Sequence, residues 1–287
     1  MSRSFAYIEG IPVELNKEPI SIGTTFSYDI PMRTQLDLLE RVGFRYVSLG
    51  ARFVHSDYLR KRGRKRLRRM LLGHGMQVCS LHTPFDRQID ISSPHPSAIR
   101  KTIECYRQCT DAAFELGANV VIFHPTAYMQ FDDLVSRKGV TVENVSRLLD
   151  HVGETGISLA IENDHFQPAN EILKYSLEKI TDPNYGFCYD TSHDNLLGHP
   201  LEILREYGHR LLTTHISDNR GENDDHMLPY EGTFPWHDFC EIFSGIRFRG
   251  IFLLEVEMRE SSFTSPAEFV QEAFTRGQRL LSTALKT

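Results

Sequence analysis

Eight short apolar runs alternate along the chain with longer segments of helical periodicity, and no other feature restricts the fold as much. The runs are 20–26, 46–52, 77–85, 119–125, 157–163, 185–193, 211–218 and 251–257. Amphipathic stretches lie at 32–41, 97–116, 142–152, 170–180, 201–207, 236–246 and 266–285. Runs such as VVIF, SLAIE and IFLLE are apolar on both faces. That suits strands of a parallel sheet covered on both sides, not a half-solvated sheet with alternating polarity. Gly43, the Gly73–Gly75 pair, Gly117 and Gly156 fall between a helical segment and the next run, where helices end in a left-handed residue. Eight βα units without a Pro/Ser-rich linker predict an α/β fold: one closed (β/α)8 barrel over 19–287, with 1–18 as an N-terminal arm or hairpin. An open doubly wound sheet is the alternative. It usually carries a Gly-rich phosphate loop after its first strand, and Ile22-Gly23-Thr24-Thr25 is not one.

Composition excludes several function classes. No window approaches the roughly 18 uninterrupted apolar residues of a membrane span, and the N-terminal residues show no apolar leader segment. The five cysteines are odd in number, scattered and without a Cys-x-x-Cys pair. They indicate neither a disulfide framework nor a thiolate zinc site, and fit a reducing cytoplasm. The formal charge of −6 is uneven: Arg60 to Arg69 holds eight of the 32 basic residues and no acid, against 38 acidic residues in the chain. An acidic chain repels nucleic acid unless a local patch compensates. Here Leu59, Gly63, Leu67, Met70 and Leu71 fall at helical spacing, so the basic residues read as the solvated face of a helix.

In a (β/α)8 barrel the active site lies at the C-terminal ends of the strands. Six consecutive runs finish there in ionisable residues: His82, His124, Glu162, the pair Asp190 and His193, the pair His215 and Asp218, and Glu255. The loop after the seventh adds Asp224, Asp225 and His226. Burying one such group costs several kcal/mol unless it is paired, so a ring of them calls for a cation. Mixed imidazole and carboxylate ligands suit zinc, manganese, iron or cobalt. Of the 13 histidines, His55, His74, His95, His151, His199 and His209 read as surface or supporting residues.

These strand ends resemble those of the xylose-isomerase-like barrels, a superfamily of sugar-phosphate isomerases and epimerases, inosose isomerases and dehydratases, and endonuclease IV. The resemblance covers nearly all strand ends from His82 to Glu255. It implies Glu162, Asp190, His215 and Glu255 as ligands of a divalent metal, with His193 of the Asp-x-x-His pair contacting substrate. The segment HISDNRGENDDHMLPYEGTFPW is similar to a signature of the epimerase branch and departs from it at Tyr230, where glycine is usual. All nine zinc ligands of endonuclease IV also find matches: His82, His124, Glu162, Asp190, His193, His215, Asp224, His226 and Glu255. Against DNA binding, the loops SYDIPM and FVHSDY contain no Lys, Arg33 following the first, and the rim carries Asp86, Asp90 and the acidic stretch 222–225.

The reading that follows is a sugar, sugar-phosphate or polyol-ketone isomerase or epimerase dependent on Zn, Mn or Co, with one cation expected and up to three. Glu162 and Glu255 would be the catalytic pair, moving a proton through an enediolate. His82, His124, His193, Asp224, His226 and Arg220 are additional metal or substrate contacts, and Phe85 and Trp236 are candidates to pack on the sugar. The alternative is a trinuclear zinc phosphodiesterase acting on abasic DNA. The expected partner is a small sugar or polyol, with no membrane, nucleic acid disfavoured, and assembly open between monomer and homo-oligomer.

Overall fold

The computed structural model describes residues 19–50, 55–127 and 132–285. The arm or hairpin expected for 1–18 lies outside them. Eight strands follow in chain order: β1 (Ile20–Gly23), β2 (Tyr46–Leu49), β3 (Gln77–His82), β4 (Val120–Phe123), β5 (Ser158–Glu162), β6 (Tyr185–Asp190), β7 (Leu211–His215) and β8 (Phe252–Leu254). Every pairing is parallel, in the order β7-β6-β5-β4-β3-β2-β1-β8. The ring closes just beyond β7, where Ile216 N donates to Leu253 O at 2.9 Å and Glu255 N to Ile216 O at 3.1 Å. The fold is the single (β/α)8 barrel read from the alternation.

The helices are α1 (Met32–Val42), α2 (Lys61–Gly73), α3 (Pro96–Leu116), α4 (Leu134–Val152), α5 (Gln167–Lys179), α6 (Thr191–Leu196), α7 (Glu202–Tyr207), α8 (Trp236–Ser244) and α9 (Pro266–Ala284). Outward strand residues such as Ile22, Val47, Val121, Ile161 and Leu254 meet helix residues such as Leu36, Leu67, Leu148, Leu173 and Phe269 in the main core. Each fully buried side chain of this kind contributes roughly 1.5–3 kcal/mol, which exceeds a typical cap. Most of these helices accordingly have no side-chain cap. Two exceptions are α6, capped by Asp190, and α9, capped by Ser265. Gly117 ends α3 at φ +78°, a conformation that strains any other side chain.

A second, small core of Ile122, Ala160, Cys188 and Leu253 fills the barrel interior. Side chains alternate with period two along a strand. The residue two further on is therefore also inward, one layer nearer the mouth: His124, Glu162, Asp190 and Glu255 in turn. β1 and β2 contribute only small groups inside, such as Ser21, Gly23, Ser48 and Gly50. The ionisable ring is thus borne by β3 to β8.

Most runs end as strands two or three residues before the apolar stretch does, and three boundaries have a particular form or cause. The run 185–193 splits after Asp190, because the cap turns the chain into α6. The run 20–26 ends as a strand at Gly23 and continues as a 3₁₀ turn, Thr24–Phe26. Helix α4 begins at Leu134 and not 142; its first turns, LVSRKGVT, show no apolar stripe but are anchored by Arg137, which donates to Asp133 at 2.9 Å and Asp90 at 3.0 Å. The basic helix is α2, with most of its charges solvated, but Arg64 is buried and pairs with Glu115 at 2.6 Å. Among the described residues no helix is long and apolar enough to cross a membrane, and the five cysteines are free thiols.

Candidate metal centre

One ligand atom from each of Glu162, Asp190, His215 and Glu255 lies within 4.8 Å of the others. The nearest approaches run from His215 Nδ1, at 2.6 Å to Glu162 Oε1 and 2.8 Å to Glu255 Oε2. Asp190 Oδ2, 3.8 Å from the same nitrogen, is buried and has no hydrogen-bond partner. The other oxygen of Asp190 is committed to capping α6 through His193 N at 2.8 Å. Three buried or half-buried carboxylates and an imidazole, with one carboxylate oxygen unsatisfied, fit a divalent cation at their common point.

Two further groups adjoin this one. His82, His124 and Glu162 form a second set within the same 4.8 Å limit, with His82 Nε2 3.2 Å from Glu162 Oε2. Asp224 Oδ2 lies 3.3 Å from His193 Nε2 and 3.0 Å from His226 Nε2, while its Oδ1 is buried without a partner. The imidazoles are aimed from behind. Nδ1 of His82 donates to Thr83 O at 2.8 Å, Nδ1 of His193 to Asn163 O at 2.8 Å and Nδ1 of His226 to Glu255 O at 3.0 Å. Each bond leaves Nε2 as the atom offered to the site, the usual way a supporting shell fixes a metal-binding tautomer. The structure thus brings together Glu162, Asp190, His215, Glu255, His82, His124, His193, Asp224 and His226.

The charges compensate one another. Burial opposes ionisation throughout, yet the His215 and His124 imidazoles hold Glu162 well below the usual carboxylate range. Against the same burial, His215 holds Glu255 down to about 2. Burial and the neighbouring carboxylates push Asp190 up to about 7, and Asp224 overcomes burial to raise His226 to about 10. His193 and His215 are also raised well above an ordinary imidazole, chiefly by nearby acidic groups working against burial. A metal must displace those protons. Zn²⁺ affinity is therefore expected to fall as pH is lowered, and loading at neutral pH to release protons. Calorimetry in two buffers of different ionisation enthalpy measures the release, and its absence would show that the metal does not displace these protons.

Other candidates lie elsewhere. Arg220 is exposed and does not line the cleft above the centre. Trp236 is buried and its Nε1 donates to Asp218 at 2.9 Å, so it anchors the following loop and does not face a ligand. Phe85 does line the cleft, half-exposed, with its ring 4.3 Å from that of His124. His55 also lines the cleft, and His74 is buried between Met70 O and Asp37. Sequence reasoning passed over Asn163, which exchanges bonds with the Asp190 backbone at 2.7 and 2.8 Å. Its place directly after Glu162 was the available signal. Cys188 lies beside Glu162 and His215, but burial pushes its thiol pKa well up, which keeps it protonated.

Asp218 organises the loop that carries Asp224 and His226. Its carboxylate accepts from the backbone of Asn219 (2.9 Å), Tyr230 (3.0 Å) and Phe234 (3.1 Å) as well as from Trp236. Tyr230 sits at φ +73°, so the loop keeps the left-handed turn that the expected glycine would make, and the ring packs on Trp236. Asp218→Ala should destabilise the protein by about 3 kcal/mol, since several buried donors lose their acceptor. Chemical denaturation reads this directly, and a change under about 0.5 kcal/mol would deny Asp218 that role.

Residues 36–276 match a family described as xylose isomerase-like TIM barrel. The uncharacterized protein y4fM of Sinorhizobium fredii is 26% identical over 279 residues, covering 88% of this chain and 89% of the relative. A probable endonuclease 4 of Campylobacter concisus is 25% identical over 127 residues, 42% of this chain and 44% of its own. Among solved structures, the zinc-bound IOLI protein superposes with a TM-score of 0.79 at 17% identity, covering 94% of this chain and 100% of that one. A D-tagatose 3-epimerase-like protein does so with a TM-score of 0.74 at 18% identity, covering 92% and 96%. The barrel, its ring of strand-end ionisable residues and the family match over residues 36–276 make the chain a member of the xylose isomerase-like TIM barrel family.

Proposed function

We propose that this protein is a divalent-metal-dependent isomerase or epimerase of a sugar or polyol ketone. The observation that carries the reading is the convergence of Glu162, Asp190, His215 and Glu255 on one point at the barrel mouth. The epimerase-like and zinc-bound neighbours support it. A cation held by these four residues supplies Lewis acidity to an α-hydroxycarbonyl group and so lowers the barrier to removing the adjacent carbon-bound proton. The protein side chains do the rest. Glu162 and Glu255 line the cleft floor, whereas Asp190 and His215 lie outside the lining. The two glutamates extend from different staves, β5 and the end of β8. One takes the proton and the other returns it to the same carbon on the opposite face, which inverts that carbon; a return by the first to the neighbouring carbon, with the hydroxyl proton passing from one oxygen to the other, gives isomerisation. His124 and His193 meet substrate hydroxyls from the wall, and Phe85 keeps water from the developing carbanion.

Deuterium incorporation next to the carbonyl, followed by NMR on Zn- or Mn-loaded protein in D₂O, tests this across ketoses, inososes and hydroxypyruvate. Metal-loaded protein that exchanges none of them would end the proposal. The two outer ligand sets favour a second reading, a trinuclear zinc phosphodiesterase. Three zinc ions per chain with nicking of abasic duplex DNA would establish it; acidic Asp29, Asp86 and Glu257 along the cleft weigh against it.

A further inference from the structure

We infer that the cleft has a second arm, between the ends of β1 and β2, that receives an anionic group carried by the substrate on an apolar spacer. The inference rests on the small-molecule reading above and deepens it. The cleft measures about 1310 Å³, beyond the roughly 300–1,000 Å³ of usual small-molecule pockets. A free hexose at the ligand ring would leave much of it to water.

The lining extends beyond the ionisable ring to the ends of β1 and β2. From His82 and Glu255 the cleft runs past Tyr28 and Ile30 to Arg33 in the first turn of α1, and to Arg66 and Met70, one turn apart on α2. Tyr28, Ile30, Met32 and Met70 give this side apolar surface beside Arg33 and Arg66, with Thr25, Asp29 and His55 among them. Both arginines are exposed. Among the described residues, the ion pairs nearby belong to Arg60 and Arg64, with neither Arg33 nor Arg66 engaged. Two acidic residues share this end. Asp86 Oδ1 is taken by the backbone N–H groups of Gln88 (2.6 Å) and Ile89 (2.9 Å), and Asp29 is exposed.

Charge is therefore polarised along the cleft. The ionisable ring and its rim hold Glu162, Asp164, Asp224, Glu255 and Glu257 at one end with no Lys or Arg among the lining residues there, whereas Arg33 and Arg66 offset Asp29 and Asp86 at the other. A substrate with a polyol head and an anionic tail can enter in one orientation only, since its tail is repelled by the carboxylates and bound bidentately by arginine. His55 adds a polar point on the arm: its ring stands edge-on to Tyr28 at 5.5 Å, and its Nε2 is buried without a partner. The substrate class is a sugar or polyol joined through an aryl or alkyl spacer to a carboxylate or phosphate.

Calorimetry on the metal-loaded full chain tests this with 4-carboxyphenyl, 4-phosphophenyl and phenyl β-D-glucosides, and with D-fructose and its 6-phosphate. A charged glucoside is expected to bind at least about tenfold tighter than the phenyl glucoside, one charge-assisted contact being worth that much. The arm that gains more identifies carboxylate or phosphate as the anion. Arg33→Gln with Arg66→Gln should erase the advantage, leave phenyl glucoside binding unchanged and leave the thermal midpoint in place. Equal affinity for charged and neutral glucosides, an advantage that survives the double substitution, or no binding of any glucoside would overturn the inference. An equal arginine-dependent gain for D-fructose 6-phosphate over D-fructose would overturn the spacer. Charge preference without deuterium exchange would keep the arm and remove the isomerase reading; exchange without charge preference would do the reverse.

Discussion

Glu255→Gln is expected to slow solvent-proton exchange by about 10²- to 10⁴-fold, the usual contribution of a positioned acid–base group, with metal content nearly unchanged. A carboxamide still offers an oxygen toward the position 2.8 Å from His215 Nδ1, but that oxygen cannot accept a proton. Glu255 is the half-buried member of the four-residue group, its partners Glu162, Asp190 and His215 being fully enclosed, so it is the carboxylate with the best access to substrate. Its depressed pKa of about 2 leaves it ionised across the working pH range. Elemental analysis and NMR exchange on the same sample separate the two effects. Exchange retained at wild-type rate would eliminate Glu255 as the proton carrier, and lost metal would make it a ligand before a base.

Glu162→Ala should be more damaging still, because one carboxylate serves two ligand sets. Its Oε1 faces His215 at 2.6 Å, and its Oε2 faces His82 at 3.2 Å and His124 at 3.7 Å. Removing it strips a ligand from both groups, so metal content after dialysis should fall to near zero and exchange to background. The metal-free fold should lose about 3–5 kcal/mol, the cost of leaving buried charges without their partner. Part of that loss is recovered if His215 and His124 give up protons, so the destabilisation should shrink as pH rises. Undiminished metal stoichiometry in this variant would exclude Glu162 as a ligand.

How far such a site can be read from a linear chain depends on the range of the interactions that make it. His82 and Glu162 stand 80 positions apart, yet both were identifiable, because barrel strands end at one rim and period-two alternation turns both inward. The same logic placed Asp190, His215 and Glu255. Arg64 and Arg137 look like solvated charges, and their burial depends on Glu115 and Asp90, which other helices and loops bring to them. By sequence Trp236, at a helix start, fits a sugar platform and a core residue equally; Asp218, 18 positions earlier, makes it a buried anchor. Arg220 has the right neighbours in sequence, but the chain turns outward after buried Asn219 and leaves Arg220 exposed.

The chain's local pattern thus settled the class of fold, the number of staves and the layer in which ionisable groups would meet. These follow from which side chains avoid water and from the fixed periods of strand and helix. Folding in three dimensions settled the rest: which nitrogen each imidazole presents, which oxygen of Asp190 stays unsatisfied, and where the cleft extends beyond the ligand ring. Those features depend on distances of a few ångströms between residues far apart in the chain, and no local period encodes them.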